Sequence, residues 1–197
     1  MRDSLRWLVE SVGLVAECHA TAEAFLARYD PQRPGCLVVD VRLPGMSGVA
    51  LQALLKKRRV AIPIIIITAY AEVSTAVRTL TEGAIDFIEK PFSDELLLDS
   101  IRRAIEIDRR SRAADAERAR IQTLLSSLTR REHDILALVV KGRPSKVIAR
   151  ELAISEKTVE VHRARLMHKL KVDSTAELIR LVLLSESRSK RDPSGTP

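Results

Sequence analysis

Cys36-Leu-Val-Val-Asp40 is an apolar, valine-rich run that stops on a carboxylate, and Ile64-Ile-Ile-Ile-Thr68 is a second such run that stops on a hydroxyl. Neither alternates apolar with polar residues. A strand without that alternation is buried on both faces, which is the mark of a parallel sheet covered by helices. A third short strand is expected at Ile85–Ile88, followed by Glu89-Lys90-Pro91. Helical patterns fill the gaps. Gly48–Arg59 is one, and Glu72–Glu82 is another that stops at Gly83, a residue suited to ending a helix. Upstream, Arg2–Val12 places Leu5, Leu8, Val9 and Val12 at helical spacing. Leu14–Cys18 reads as a short strand and Ala22–Arg28 as a helix. Downstream, Ser93 caps a helix running from Asp94 to about Arg110. Strand and helix in alternation, joined by short loops, predict an open doubly wound α/β sheet of the flavodoxin-like type over residues 1–110.

The strand signal ends there. Residues 111–127 are rich in Ala, Arg and Glu, lack Gly and Pro, and are expected to form a helical linker. Thr129 with Glu132 three residues on makes a capping box for the next helix, which ends at Gly142. Three more helices are expected at 145–152, 156–170 and 174–184, giving an all-α four-helix domain over 128–184. The polar residues 185–197 read as a disordered tail.

Charge separates the halves. Residues 1–110 carry 15 Lys/Arg and 15 Asp/Glu, whereas residues 111–197 carry 18 and 11, the whole of the net +7. Nine basic and three acidic residues fall within 141–171. A neutral half and a basic half suggest different tasks, the basic one a nucleic-acid surface. The longest apolar run, 60–69, is broken by Pro63 and is shorter than the roughly 20 residues a membrane span needs. With no secretion signal evident, a cytoplasmic protein without membrane contact is expected. Cys18 and Cys36 form no C-x-x-C pair and are expected to be reduced core or near-core residues.

Asp40, Thr68 and Lys90 end three successive strands. In an open α/β sheet that edge is where ligands bind. A carboxylate there can attack phosphorus and form an aspartyl phosphate. A nearby lysine pairs with phosphoryl oxygens, and a neighbouring hydroxyl can bond them. On these residues the first 110 positions closely resemble the receiver domain of two-component response regulators. Val38-Val-Asp-Val-Arg-Leu-Pro-Gly-Met-Ser-Gly48 matches the phosphoacceptor loop, Thr68 in Ile-Thr-Ala the switch hydroxyl, and Lys90-Pro91-Phe92 the Lys-Pro motif, which usually has a cis peptide. Phe87 falls where the family carries its switch aromatic. The resemblance implies Asp40 as phosphoacceptor and Thr68, Phe87 and Lys90 as phosphate-sensing residues.

The resemblance departs at one point. Receiver domains begin with a strand ending in two acidic residues that hold Mg²⁺. Here Met1-Arg2-Asp3-Ser4-Leu5 already reads as the first helix region, and Asp3 lies too far into it to replace them. The expected fold is therefore a receiver lacking its first strand, with no protein metal ligands and Mg²⁺ use in doubt. Either the reading frame starts upstream or the chain is naturally shorter. The first is favoured because everything from Leu5 onward stays receiver-like, and translation of the upstream codons separates the two.

Residues 145–164 read helix, short turn, helix, with Ser155 capping the second. At about 3.6 residues per turn, Val159, Leu166 and Leu170 share a core face, with His162 and Arg163 at its edges. The opposite face carries Lys157, Glu160, Val161, Ala164, Arg165 and His168, with Thr158 at its margin. Such a face suits a major groove: small residues permit close approach, Arg165 and Lys157 reach guanine or phosphate, and Glu160 accepts from cytosine N4. Lys141, Arg143, Lys146, Lys169 and Lys171 would add salt-sensitive phosphate contacts. His162 and His168 do not face one ligand, which argues against a metal site. Leu128-Thr-Arg-Arg-Glu132 and Ile154-Ser-Glu-Lys-Thr-Val-Glu-Val-His-Arg163, with Ile148-Ala149 and Leu170, resemble the LuxR-type DNA-binding domain of NarL/FixJ regulators. Arg143-Pro144-Ser145 departs from the common pattern there.

The combined resemblance implies a transcriptional regulator, not an enzyme. A histidine kinase would phosphorylate Asp40, duplex DNA would be the second partner, and a homodimer would form through helix 72–82 and strand 85–88. Two other readings are weighed: a phosphorylation-independent DNA-binding protein whose shortened receiver is only an interaction module, and a phosphohydrolase using Asp40, for which no second catalytic carboxylate is evident.

Overall fold

The computed structural model describes residues 2–186 and divides into two compact units, 1–112 and 113–197. The expected tail at 185–197 lies almost wholly outside the described residues. In the first unit the elements run α1 (Arg2–Ser11), α2 (Ala22–Arg28), β1 (Leu37–Asp40), α3 (Gly48–Lys57), β2 (Ile64–Thr68), α4 (Val73–Thr81) and β3 (Asp86–Glu89). Helix α5 (Asp94–Ser126) follows, with the division between units falling inside it at Arg112 and Ala113.

Among the described residues the sheet has three parallel strands in the order β1-β2-β3, with Asp40 beside Ile67 and Thr68 beside Glu89. All five residues of β2 are buried, the pattern its unbroken apolar sequence dictates. Its side chains point alternately to two cores. Ile64 and Ile66 pack with Leu51 and Leu55 of α3 and Phe25 of α2. Ile65 and Ile67 pack with Leu97, Ile101 and Ala104 of α5, covered by Leu5, Leu8 and Val9 of α1. The result is a three-layer α/β/α unit.

One element differs from expectation. Leu14–Cys18 forms no strand. Leu14 donates its N–H back to Val9 at the end of α1, and Val15 and Cys18 are exposed. A strand exists only by pairing, and no described strand lies alongside this stretch. Cys18 is thus not a core residue. Cys36 is half-buried, and burial pushes its thiol up to about 11, so it stays protonated and unreactive.

The turn from β1 into α3 is tight. Gly48 donates its N–H to Val41 O at 3.1 Å, and a Cβ at this position would stand 2.3 Å from Asp40 O. Ser47 caps the helix by accepting from Ala50 N. Gly48→Ala is expected to destabilise the first unit by about 1–3 kcal/mol, because backbone rather than a flexible side chain must move. A lowered thermal midpoint is the readout.

The second unit is all-helical: the end of α5, then α6 (Arg130–Val140), α7 (Ser145–Glu151), α8 (Glu156–Leu170) and α9 (Thr175–Glu186). Its core joins Leu128, Ile135, Leu136, Val139, Ile148, Val159, Leu166, Leu170 and Leu178. Helices α7 and α8 are joined by residues 152–155, with Ala153 in the left-handed region at φ 52°. This is the helix-turn-helix expected from the sequence.

Candidate phosphoacceptor rim and DNA-binding face

Parallel register brings the C-terminal ends of β1, β2 and β3 to one rim. Lys90 donates its backbone N–H to Thr68 O at 2.7 Å, and its Nζ forms an ion pair with Asp40 Oδ2. Asp40 Oδ1 accepts from Arg42 N at 2.9 Å. Thr68 is buried, and its hydroxyl is turned onto the backbone of Tyr70, donating to the carbonyl and accepting from the N–H, each at 3.2 Å. The Lys90–Pro91 peptide is cis. Phe87 is half-buried against the α2–α3 core. The sequence-predicted residues Asp40, Thr68 and Lys90 are therefore neighbours in space.

Two contacts that the sequence did not announce hold the loop after Asp40. Glu23 Oε1 accepts from Met46 N at 3.1 Å, and the Arg42 guanidinium lies 4.2 Å from the centre of the Tyr70 ring. Below the rim, Asp86 accepts from Ser100 Oγ at 2.5 Å and from Arg103 at 2.6 Å, fixing β3 to α5.

Receiver domains generally bind Mg²⁺. Both oxygens of Asp40 are engaged here, and no cluster of three or more His, Cys, Asp or Glu able to hold a metal occurs among the described residues. A hard cation seeks several oxygen ligands, and Asp40 is one carboxylate at this rim.

In the second unit, Val159, Leu166 and Leu170 of α8 are at most 1 % exposed. The opposite face presents Lys157, Glu160, Val161, Ala164, Arg165 and His168 to solvent, with Thr158 half-buried at its start. Lys146 is exposed on α7. Ser155 caps α8 through Thr158 N at 3.1 Å, and its hydroxyl meets that of Thr158. An open groove between the end of α7 and the start of α8 carries Lys146, Arg150, Ser155 and Glu156.

Two expected contact residues differ from the reading as free groups. Lys169 donates to Glu132 Oε2 at 2.7 Å, joining the last turn of α8 to the start of α6. Glu160 accepts from Ser145 Oγ at the start of α7. Arg163 also bridges elements, reaching Ser145 at 3.4 Å and Thr175 at 3.3 Å. The capping box was legible from Thr129 and Glu132, but the pairing of Glu132 with a lysine 37 residues away was not.

Glu132 has its side chain 4 % exposed. The Lys169 ammonium, helped by the Thr129 N–H and hydroxyl, lowers its carboxyl from 4.5 to about 2 against the opposing effect of burial. A carboxylate whose folded value is depressed stabilises the fold above its unfolded value and loses that contribution as pH falls towards the folded one. The thermal midpoint of the wild-type helical unit is therefore expected to fall between pH 4.5 and about 2. Glu132→Gln is expected to show a lower midpoint at neutral pH and a shallower fall in that window.

A parallel α/β unit with an Asp–Thr–Lys rim, followed by a basic helix-turn-helix unit, defines a phosphorylation-controlled regulator of transcription as a class. Comparison with known families agrees. Residues 1–102 match the response regulator receiver domain, and residues 126–182 match the luxR family of bacterial regulatory proteins. The chain belongs to the two-component transcriptional response regulators of the NarL/FixJ family. It is 43 % identical over 187 residues to the transcriptional regulatory protein FixJ of Rhizobium meliloti (strain 1021), covering 93 % of this chain and 90 % of that one. It is 38 % identical to the transcriptional regulatory protein TdiR of Thauera aromatica, covering 95 % and 82 %. Among solved structures, the response regulator StyR aligns with a TM-score of 0.83 at 42 % identity over 92 % of each chain. No described helix is long and apolar enough to cross a membrane.

Proposed function

We propose that this regulator is switched by transfer of a phosphoryl group from a kinase phosphohistidine to Asp40 in the cytoplasm. The supporting observation is the Asp40–Lys90 ion pair at the same rim as Thr68. One carboxylate oxygen of Asp40 attacks phosphorus, the P–N bond of the phosphohistidine breaks, and the imidazole leaves. Lys90 then neutralises phosphoryl oxygens in place of the carboxylate. The Thr68 hydroxyl exchanges its bonds with the Tyr70 backbone for a phosphoryl oxygen, freeing that loop, and Phe87 repacks. The expected outlet is dimerisation through α4, on which Val73, Val77 and Leu80 form an exposed apolar stripe, 81 %, 59 % and 45 % accessible. Paired units would then read two half-sites on duplex DNA.

Incubation of the full-length protein with a small-molecule phosphoryl donor tests the reading. A hydroxylamine-sensitive phosphoryl group on the peptide containing Asp40, with a shift from monomer to dimer in sedimentation, is expected. Labelling at another residue, or DNA binding indifferent to labelling, would favour the reading in which the receiver is only an interaction module.

On the DNA side, Lys146, Lys157, Thr158, Val161, Ala164 and Arg165 are the proposed contacts, with Glu160 positioned through Ser145. Arg165→Ala is expected to weaken operator binding by about 1–3 kcal/mol, roughly 5- to 150-fold, by loss of a guanine or phosphate contact. Binding titrations at several salt concentrations distinguish the two: a phosphate contact lowers the salt slope by about one.

A further inference from the structure

Helix α4 is held to the first unit by little. Of its nine residues only Thr79 is buried. Val73, Val77 and Leu80 are exposed, and none of the described α4 side chains joins either apolar core of the unit. Its first turn has no side-chain cap. The loop before it, 69–72, is held by the Thr68 hydroxyl at Tyr70 and, at the surface, by Glu89, which accepts from Ala71 N at 3.3 Å.

The other end of the helix is different. Gln52 of α3 is 2 % exposed, beside the buried Leu51 and Leu55. Its Nε2 donates to Thr79 O at 2.8 Å. Thr79 O does not need this bond to be satisfied, because Ala84 N already donates to it at 3.0 Å. The Thr79 hydroxyl turns back within α4 onto Thr75 O and Ala76 O. Gln52 itself sits at a cost: its Oε1 is buried and accepts no hydrogen bond from the described residues. A buried acceptor without a donor is destabilising, and an apolar side chain of similar shape would avoid that. What the amide supplies is a fixed point on a loosely packed helix.

We propose that Gln52 is a positioning residue that pins the C-terminal end of α4, so that the helix turns about Thr79 when the loop 69–72 is released, an inference that rests on the proposed exchange of the Thr68 hydroxyl from Tyr70 to a phosphoryl oxygen. Release at Tyr70 then reaches Val73 and Val77 as a swing of the exposed stripe, while Leu80, next to the pivot, stays nearly in place. An unpinned α4 would answer the same release by losing order. A disordered stripe must give up that freedom before it packs on a second copy, which weakens the pairing.

Hydrogen exchange and thermal melts of the full-length protein are the test. Gln52→Met keeps the side-chain length and removes both the bond to Thr79 and the unpaired acceptor; Gln52→Leu does the same with a shorter chain, should Met not be accommodated. Without any phosphoryl donor, the amides of 77–84 in the variant are expected to exchange about three- to tenfold faster than in the wild type, as befits the loss of one buried hydrogen bond. Exchange in α3 and β2 should not change, and the thermal midpoint of the first unit should not fall. A residue that only supported the core would lower the midpoint and speed exchange in α3 as well. With a small-molecule phosphoryl donor, the wild type is expected to exchange faster over 69–76 but not over 79–84, and the variant faster along the whole of α4. Unchanged exchange over 77–84 in the variants, a lowered midpoint, failure of both variants to fold, or a donor effect spread evenly along wild-type α4 would overturn the inference. A labelled wild type that stays monomeric, or whose residues 69–76 do not respond, counts against the proposed switch alone, because the comparison without donor still decides whether Gln52 pins α4.

Discussion

Asp40→Asn is expected to reduce phosphoryl incorporation by at least about 10³-fold, to the background of other carboxylates. An amide oxygen has neither the charge nor the basicity to attack phosphorus and hold an acyl phosphate. The local fold should survive, since Asn retains the acceptor for Arg42 N, the bond that shapes the turn at 2.9 Å. What Asn cannot keep is the ion pair with Lys90. Lys90 then presents an unneutralised ammonium at the rim, which resembles neither the resting nor the phosphorylated charge state. Mass measurement after exposure to the donor checks the first effect, and sedimentation of the same sample checks the absence of dimer formation. Undiminished incorporation in the variant would move the phosphoacceptor elsewhere.

Leu166→Ala is expected to destabilise the helical unit by about 2–5 kcal/mol. Leu166 is fully buried, between Val159 and Leu170 on the inner face of α8, in the core shared with α6 and α7. Truncation leaves a cavity that three helices cannot close without shifting α8. Arg165 and Ala164, adjacent in sequence, stand on the opposite face and move with it. Specific DNA binding should therefore fall with stability, whereas phosphorylation of Asp40 should be unaffected. Parallel thermal melts, mobility shifts and phosphoryl labelling separate these outcomes.

The parts legible in the sequence were those decided locally. Ile64–Thr68 needed no partner to declare itself a buried strand, and the start of α8 follows from Ser155 as its cap; its end at Lys171, left-handed at φ 56°, has no glycine to mark it. The convergence of Asp40, Thr68 and Lys90 followed from strand ends alone, since parallel register aligns them. Long-range facts escaped. Leu14–Cys18 has the composition of a strand, but pairing is not a property of a segment. The partners of Lys169 and Glu160 lie 37 and 15 residues away, and nothing in their own surroundings announces a buried glutamate or a helix-start serine. Gln52 is of the same kind: buried beside Leu51 and Leu55 on α3, it donates its amide to Thr79 O, 27 residues away.

The tie between Lys169 and Glu132 bears on how far the protein reaches along DNA. A lysine already holding a buried carboxylate is not free to neutralise a phosphate, so it would displace none of the cations condensed on an arriving duplex. The ionic-strength dependence of binding should then reflect Lys157 and Arg165 of α8 and Lys146 of α7, without a contribution from Lys169. Each monomer would grip a short arc of the phosphate backbone, weakly by itself, and two would be needed to occupy an operator firmly.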